Sequence, residues 1–292
     1  MNPTVTGNPG AGGNGIRLRA AHYSATTYPF AGSEVSPSAA AAILADRVIE
    51  DARAVLDHVG EDAPHFMLSS TVLWCNLLQS CEIGDAFRRR LRAVTGNEPP
   101  LVNAYECAGW GYIFRHLQRL SPARRRPLLL TIADVDVLNL QGWEYGAQWG
   151  RSGFGLTTLC VDGYDSSEDT VLTGSARSDK AWLEFARRLA AFAARYQDAR
   201  VFPPFFPEPL RAQLEHILPK DRLSPNLHSI YGHSFGGDPW IGVVASARER
   251  RPAEAGPVIV ASLALNGYFC AARIALTPET RLSASGWEAR PQ

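Results

Sequence analysis

The apolar residues of this chain follow two patterns. Short continuous runs alternate with longer stretches in which apolar positions recur every three or four residues. The first pattern is typical of buried strands and the second of helices packed on a sheet. The runs predict strands at 16–23, 65–70, 101–105, 128–133, 155–161, 170–173, 200–202, 227–231, 258–265 and 268–276. The longer stretches predict helices at 36–59, 84–94, 179–196 and 208–218, and two more that begin just after residue 107 and at residue 239.

These elements occur twice in the same order: strand, helix, strand, helix, strand, helix, strand, strand. Such alternation favours mostly parallel sheets covered by helices, with two similar halves that pair. We predict an N-terminal half over 16–165 and a C-terminal half over 166–292, divided within the Gly-Ser-Asp-rich link at 162–169. Residues 1–15 are glycine-rich, but they follow no strand and open no helix, so we predict a disordered leader and not a phosphate loop.

Composition narrows the class of protein. Lys plus Arg and Asp plus Glu both number 29, so the formal net charge is zero, which argues against a nucleic-acid partner. No apolar run approaches the roughly 18 residues of a membrane span, and the first thirty residues lack the apolar region of a signal peptide. The five cysteines show no C-x-x-C spacing, so neither a disulfide framework nor a zinc site is indicated. We expect a cytoplasmic protein that uses no metal and no cofactor.

Cys107 lies at a corner between the predicted strand 101–105 and the helix that follows. The stripe of that helix begins at Trp110. The unpaired N–H groups of a first helical turn and the positive end of the helix dipole favour a thiolate and can also hold an oxyanion. Cys107 is therefore a candidate nucleophile. The alternative is an ordinary buried cysteine that only packs.

The equivalent corner of the second half carries His233. If the halves pack about a pseudo-twofold axis, the two corners meet, and the imidazole can serve as a base for the thiol and for a second substrate. The residues from Gly232 to Gly236 also match the G-x-S-x-G nucleophile elbow of α/β-hydrolases, with Ser234 as nucleophile. That elbow needs a histidine further along the chain, and all seven histidines lie at or before position 233. The helix after this corner has Pro239 near its start and Asp238 as its predicted N-cap.

The Cys107 corner and the two-half arrangement resemble the thiolase-like condensing enzymes, in particular the ketoacyl-acyl-carrier-protein synthase III branch. The segment 106–112, ECAGWGY, is similar to the nucleophile motif of that branch, and 149–155, WGRSGFG, to its glycine-rich turn into the fifth strand. The turn 231–234 falls where the branch has glycine-asparagine-threonine and where sister synthases place a histidine. Residues 266–268 occupy the terminal glycine-rich turn.

The resemblance covers nearly the whole chain after residue 15. It implies a thiolase-like fold in which two βαβαβαββ halves form a layered αβαβα architecture, and it implies a homodimer. It also implies that the acyl donor is an acyl carrier protein or acyl-CoA. The segment between the first strand and first helix is short and lacks most of the region that clamps coenzyme A in this branch, which favours the carrier protein as donor.

Two departures from the family pattern bear on the reaction. The branch supplies a further catalytic histidine at the start of the helix predicted near residue 207, and here Phe206 holds its place. Phenylalanine cannot donate a hydrogen bond to the enolate that forms when a malonyl unit is decarboxylated. The final turn also has a single glycine, Gly267, where the family has several.

We therefore predict an acyltransferase with a ping-pong mechanism. Cys107 accepts the acyl group as a thioester, and His233 deprotonates a hydroxyl or amine of a small-molecule acceptor. The backbone N–H groups of Cys107, Asn266 and Gly267 form the oxyanion hole. Glu106, Ser234 and Phe206 are auxiliary candidates, Glu106 as a further base. Two alternatives stay open: a carbon–carbon condensing ketoacyl synthase, and a non-catalytic subunit that pairs with an active synthase.

Overall fold

The structure is a computed structural model that describes residues 15–27, 30, 34–60, 64–120, 126–163, 169–177, 179–247 and 256–286. The elements up to the middle of the chain are β1 (Ile16–Ala25), α1 (Pro37–Val59), β2 (His65–Ser69), α2 (Val72–Gln79), α3 (Cys81–Thr95), β3 (Leu101–Val102), α4 (Gly109–Arg119), β4 (Leu128–Asp134), α5 (Gln141–Glu144), β5 (Tyr145–Gly146), β6 (Gly150–Arg151) and β7 (Gly155–Asp162). The remaining elements are β8 (Val171–Ser175), α6 (Ala181–Arg195), β9 (Arg200–Phe202), α7 (Glu208–Ile217), α8 (His228–Tyr231), α9 (Asp238–Ser246), β10 (Pro257–Leu263), β11 (Tyr268–Ala275) and β12 (Arg281–Ser285).

The strands repeat one order in the two parts of the chain. In the first part the order is β3-β2-β4-β7-β1, and in the second it is β9-β10-β11-β8, which lacks one edge strand. In each part the early strands pair in parallel and the last long strand is antiparallel to its neighbours. The sheet is therefore mixed and not mostly parallel as predicted. The predicted thiolase-like α/β fold, with its two pseudo-repeated halves, is confirmed.

The helices that follow Cys107 and His233, α4 and α9, pack against each other in the centre of the molecule. The predicted stripe of α4 is buried, and its Trp110 ring lies 5.2 Å from the ring of Trp240 on α9, edge to face. Phe114 packs on the same tryptophan at 6.0 Å. Burial of such large rings is a major stabilising contribution. The residues that precede both helices are therefore held at the centre of the fold.

Two predicted strands differ in the structure because local hydrogen bonds compete with strand pairing. Residues 227–231 were predicted as a strand, which is wrong: they form α8, in which the Tyr231 N–H bonds the Leu227 carbonyl at 2.9 Å. The third strand of this half is reduced to a single parallel bridge between Leu223 and Val201. The strand predicted to reach residue 105 ends at Val102, because a turn follows it.

Two elements had no counterpart in the prediction. The short helix α2 lies where only a loop was expected. No element was predicted after residue 276, but residues 281–285 form β12, which pairs in parallel with β1. Leu282 and Ala284 pack against the core, while the Ser283 hydroxyl lies 2.8 Å from Nδ1 of His22 and Ser285 lies 2.9 Å from Ser24. Only two of its five residues are apolar, so the apolar pattern is too short to predict a strand.

The predicted leader and the predicted link between the halves fall mostly outside the described residues. Residues 1–14 of the predicted leader and 164–168 of the predicted link lie outside the described residues, so the division at 165/166 stays a prediction. Within the described ranges, no helix combines the length and the apolar character needed to cross a bilayer. The same ranges contain no group of three or more His, Cys, Asp or Glu side chains arranged to hold a metal ion.

The contact between α4 and β11 gives a test of the fold around Cys107. A Cβ on Gly111 would overlap the Cβ and Sγ atoms of Cys270 in β11. Gly111→Ala should therefore push α4 away from the sheet and lower the free energy of unfolding by about 1–3 kcal/mol, measured by urea denaturation. Gly142→Ala is the control, because a Cβ there meets nothing within 4 Å. Similar small effects of both substitutions would contradict the close packing of α4 on β11.

Candidate active site

Cys107 lies in a one-turn 3-10 helix, Glu106–Ala108, that leads directly into α4. Its side chain is only 3% exposed, and its Sγ accepts a hydrogen bond from the Thr71 hydroxyl at 3.6 Å. The preceding residue, Glu106, has a φ of 44°, a left-handed conformation that is strained for a residue with a side chain. Strain of this kind is common where a turn must present a reactive side chain.

The surroundings of Cys107 favour the neutral thiol. Burial raises its pKa well above the ordinary value and the Asp134 carboxylate raises it further, while the hydrogen bond from Thr71 lowers it. The expectation that this corner favours a thiolate is wrong for the protein at rest. Desolvation of the fully buried sulfur is the largest cause, and the negative charges of Asp134, Glu106 and Asp238 add to it.

His233 is held by a buried carboxylate. Its Nδ1 lies 2.5 Å from Oδ2 of Asp238, which is completely buried. Asp238 also accepts the backbone N–H groups of Ser234 at 2.5 Å and Phe205 at 2.9 Å. Burial lowers the pKa of His233, but the charge of Asp238 and their close contact outweigh burial, so the pKa lies above its ordinary value. The carboxylate therefore stabilises the imidazolium form and fixes the direction of the ring.

The predicted role of Asp238 as the N-cap of its helix is wrong. Helix α9 begins at Asp238 itself, Gly237 occupies the cap position, and no side chain caps the helix. Phe235 adopts a φ of 51° in the 3-10 turn Phe235–Gly237. This turn brings Asp238 back to the imidazole five residues earlier, so its carboxylate binds the turn and not the first helical N–H groups.

The turn that follows His233 packs directly against the turn that carries Cys107. A Cβ on Gly236 would come within 3.2 Å of the Cys107 carbonyl oxygen. The N–H of Gly236 donates to Oδ2 of Asp134 at 3.2 Å, while Oδ1 accepts the N–H groups of Thr71 at 2.7 Å and Val72 at 3.1 Å. Asp134 thus joins the two halves at the site, and burial raises its pKa to about 6.

Cys107 and His233 line one cavity of about 460 Å³. Its wall is mostly apolar and consists of Thr71, Cys107, Ala147, Gln148, Trp149, Ala181, Trp182, Phe206, Pro207, Pro209, Leu210, His233, Phe235, Leu263, Ala264 and Leu265. None of these is Lys, Arg, Asp or Glu. Phe206 is buried in this wall, where its ring meets that of Trp182 edge to face at 5.0 Å.

The predicted oxyanion turn is engaged elsewhere. The Asn266 N–H donates to the Glu106 carboxylate at 3.3 Å, and the Gly267 N–H donates to the Ala264 carbonyl at 3.0 Å. Burial raises the pKa of Glu106. For this turn to bind an oxyanion, Glu106 must first release Asn266. The hydroxyl of Ser234 is buried and has no hydrogen-bond partner among the described residues.

Three residues of the site had no assigned role in the sequence analysis: Thr71, Asp134 and, as the partner of His233, Asp238. A signal for the first two was present. Thr71 follows β2 by two residues and Asp134 ends β4, and these two strands are parallel neighbours. The carboxyl ends of parallel strands lie at one edge of a sheet, where polar residues commonly form sites. Asp238 could be found only once the turn after His233 was known.

Comparison with known proteins supports the fold. No family model and no curated protein matches the sequence. Among solved structures, 3-oxoacyl-(acyl carrier protein) synthase III, FabH, from Pseudomonas aeruginosa PAO1 has a TM-score of 0.57 and 13% identity, covering 80% of this chain and 83% of that chain. ChlB3, an acyltransferase, has a TM-score of 0.59 and 15% identity over 91% and 99%. Germicidin synthase from Streptomyces coelicolor, a type III polyketide synthase, has a TM-score of 0.56 and 13% identity over 80% and 71%.

These likenesses define the class of fold. The chain has the thiolase-like fold, as the motif resemblance predicted, and ketoacyl synthase III structures share it. Sequence identities of 15% or less establish a shared fold but not a shared reaction.

The hydrogen bond between Thr71 and Cys107 can be tested by alkylation. Thr71→Val keeps the side-chain shape and removes the donor that stabilises the thiolate, so iodoacetamide should modify Cys107 about tenfold more slowly at pH 8. Peptide mapping by mass spectrometry measures each cysteine separately, and the exposed Cys81 is the internal reference. An unchanged ratio of the two rates would contradict the contact.

The pairing of His233 with Asp238 predicts a titration shift. In Asp238→Asn the charge that raises the pKa of His233 is lost, so its NMR titration midpoint should move to lower pH. Unfolding free energy should also fall by about 1–3 kcal/mol, because the amide cannot accept both backbone N–H groups. His233→Gln identifies the resonance. A midpoint that stays in place, in a folded variant, would show that Asp238 does not act on the imidazole.

Proposed function

We propose that the protein is a thioester-dependent acyltransferase that forms an acyl thioester on Cys107 and passes the acyl group to a hydroxyl or amine. The observation that carries this proposal is that Cys107 and His233 line one cavity while the buried Asp238 contacts Nδ1 of the imidazole. Nucleophile, base and orienting carboxylate are the components of acyl transfer through a covalent intermediate. The proteins that share the fold, which include the acyltransferase ChlB3, are compatible with this reaction in fatty-acid, polyketide or specialised-metabolite biosynthesis.

In the first half-reaction the thiol is acylated. Because Asp238 contacts Nδ1, Nε2 of His233 is the nitrogen that can take the proton of Cys107. The sulfur then attacks the carbonyl carbon of the donor thioester, and a new C–S bond forms. As the tetrahedral intermediate collapses, the old C–S bond breaks and the carrier thiol leaves with the proton from His233. The resting thiol therefore becomes a nucleophile only when a base takes its proton, and that base then protonates the leaving carrier thiol.

The second half-reaction reverses the roles. The acceptor hydroxyl or amine gives its proton to His233 and attacks the thioester carbon, and Cys107 leaves and regains the proton. The product is an ester or amide. The Cys107 N–H, at the start of the helical segment, is a proposed oxyanion donor in both steps, with the Asn266–Gly267 turn as the second after Glu106 has moved.

Phe206 supports transfer over carbon–carbon condensation. Its ring lies in the cavity wall. The sequence resemblance assigns this position to the second catalytic histidine of the related synthases, and phenylalanine offers no donor to an enolate. The proposed donor is an acyl carrier protein or acyl-CoA, and the proposed assembly is a homodimer, both from the family resemblance. The five free cysteines are compatible with a reducing, cytoplasmic location.

The proposal predicts a covalent adduct on one cysteine. Incubation with acyl-pantetheine or acyl-carrier-protein thioesters should add one acyl mass to the intact protein, with the adduct mapped to Cys107. Cys107→Ala should abolish the adduct, and Cys81→Ala, at an exposed cysteine outside the cavity, should retain it. Addition of an amine or alcohol acceptor should then discharge the adduct, and His233→Gln should slow that discharge by about 10²- to 10⁴-fold.

The same assay separates the alternatives. A persistent adduct in Cys107→Ala, or no adduct from any thioester, would overturn the proposal and favour a non-catalytic subunit. Release of carbon dioxide from malonyl thioesters at a rate that matches acylation would favour a condensing enzyme.

A further inference from the structure

We propose that the acyl unit accepted by Cys107 is uncharged and carries an aromatic ring, and that the cavity rejects carboxylated acyl units such as malonyl. This inference rests on the proposed function and names its substrate class. It follows from three features of the cavity. Aromatic rings line it, the indole N–H groups of those rings bond to residues outside the lining, and the buried charges next to it are negative.

Two pairs of aromatic side chains belong to the cavity lining. One pair, Trp149 and Phe235, has its ring centroids 6.4 Å apart and comes from the hairpin loop before β6 and the turn after His233. The other pair, Trp182 and Phe206, comes from the start of α6 and the segment before α7, with centroids 5.0 Å apart. Aromatic side chains grouped in this way bind a flat ring by edge-to-face and offset contacts.

The polar atoms of these walls are already used. The Trp149 indole N–H donates to the Ser152 hydroxyl at 2.8 Å, and the Trp182 indole N–H donates to the Gln213 side-chain oxygen at 2.9 Å. Neither acceptor belongs to the cavity lining. Both indoles therefore present carbon surfaces to a bound group. A carboxylate placed among them would lose its hydration without gaining a donor.

The buried charges next to the cavity are negative. Asp134 and Asp238 are both almost completely buried, and both act on the Cys107 sulfur to disfavour its anion. The positive charge that His233 can carry lies against Asp238 and is neutralised by it. Among the described residues that line the cavity, none is Lys or Arg. A carboxylate on the acyl group would be repelled by Asp134 and Asp238, as the thiolate is. The repulsion is strong because the region has a low dielectric constant.

The volume is consistent with such a substrate. A cavity of about 460 Å³ lies within the range of small-molecule sites, roughly 300–1,000 Å³. It accommodates an aryl-acyl group together with the end of a pantetheine arm or a small acceptor. The exposed residues of its lining, including Gln148 at the tip of the hairpin, mark the side from which the donor enters.

The test compares three pantetheine thioesters: phenylacetyl, cyclohexylacetyl and succinyl. None conjugates its ring or its carboxylate with the thioester carbonyl. The rate of Cys107 acylation is measured by intact mass with peptide mapping. We expect phenylacetyl to react about 2- to 10-fold faster than cyclohexylacetyl, because of the aromatic contacts. We expect succinyl to react at least about 30-fold more slowly than phenylacetyl, because its carboxylate is unpaired in the cavity.

Two substitutions distinguish the loss of a ring that lines the cavity from the loss of a buried ring elsewhere in the core. Phe206→Leu should bring the ratio of phenylacetyl to cyclohexylacetyl rates close to one. The control is Phe185→Leu, at a buried ring that contacts Trp182 in the same apolar cluster but does not line the cavity, and it should leave the ratio unchanged. Thermal melts check that both variants fold.

The outcomes distinguish this inference from the proposed function. Equal acylation by succinyl and phenylacetyl thioesters, or a preference for cyclohexylacetyl that Phe206→Leu does not alter, would overturn the substrate class and leave the Cys107 thioester intact. Absence of any adduct from all three thioesters would overturn the proposed function itself, and the substrate class with it.

Discussion

The site depends on one buried carboxylate that binds both halves of the molecule. Asp134, at the end of β4, accepts backbone N–H groups of Thr71 and Val72 from the first half and of Gly236 from the second. Burial of a carboxylate is unfavourable, and its pKa of about 6 reflects that cost. Three backbone donors compensate part of it. In return, the carboxylate holds the turn that carries Cys107 next to the turn that carries His233.

The same carboxylate governs the resting chemistry. Its charge adds to burial in keeping Cys107 neutral, and Asp238 favours the charged form of His233. The raised pKa of Cys107 keeps the proton on the sulfur, whereas the raised pKa of His233 favours its transfer to the imidazole. Burial and the carboxylates oppose the thiolate, whereas the imidazole is made a better proton acceptor by its partner. A neutral thiol is protected from alkylation and oxidation, which act on the thiolate. In the proposed reaction, its proton passes from Cys107 to His233.

Much of this fold could be predicted because it follows from patterns within single elements. The α4 stripe, the exact extent of β9 and the repeated order of strands and helices are all local signals. The two candidate residues, Cys107 and His233, were found because they occupy equivalent corners of a repeat. The partners of these residues were not found, because Asp134, Thr71 and Asp238 act through contacts between distant segments or through a left-handed turn at Phe235. The strand predicted for residues 227–231 was wrong for a different reason. Their apolar composition suits a strand, but the segment forms the i to i−4 hydrogen bonds of α8.

In the proposed function, Phe206 alters the reaction of this fold without a change in the nucleophile. Phe206 lies before α7 and lines the cavity, so its side chain would contact an acyl group bound there. A histidine there would add a donor and a second positive charge next to Cys107. With phenylalanine, and with Asp134 and Asp238 beneath the site, the balance of charge is negative or neutral. An enolate would be destabilised by that field, whereas a neutral acyl group is unaffected by it. In the proposed function, a tetrahedral intermediate carries its charge on one oxygen, for which the backbone N–H of Cys107 is the proposed donor. On that proposal, acyl transfer needs an oxyanion donor but no donor for an enolate, and this is the step at which it would differ from condensation.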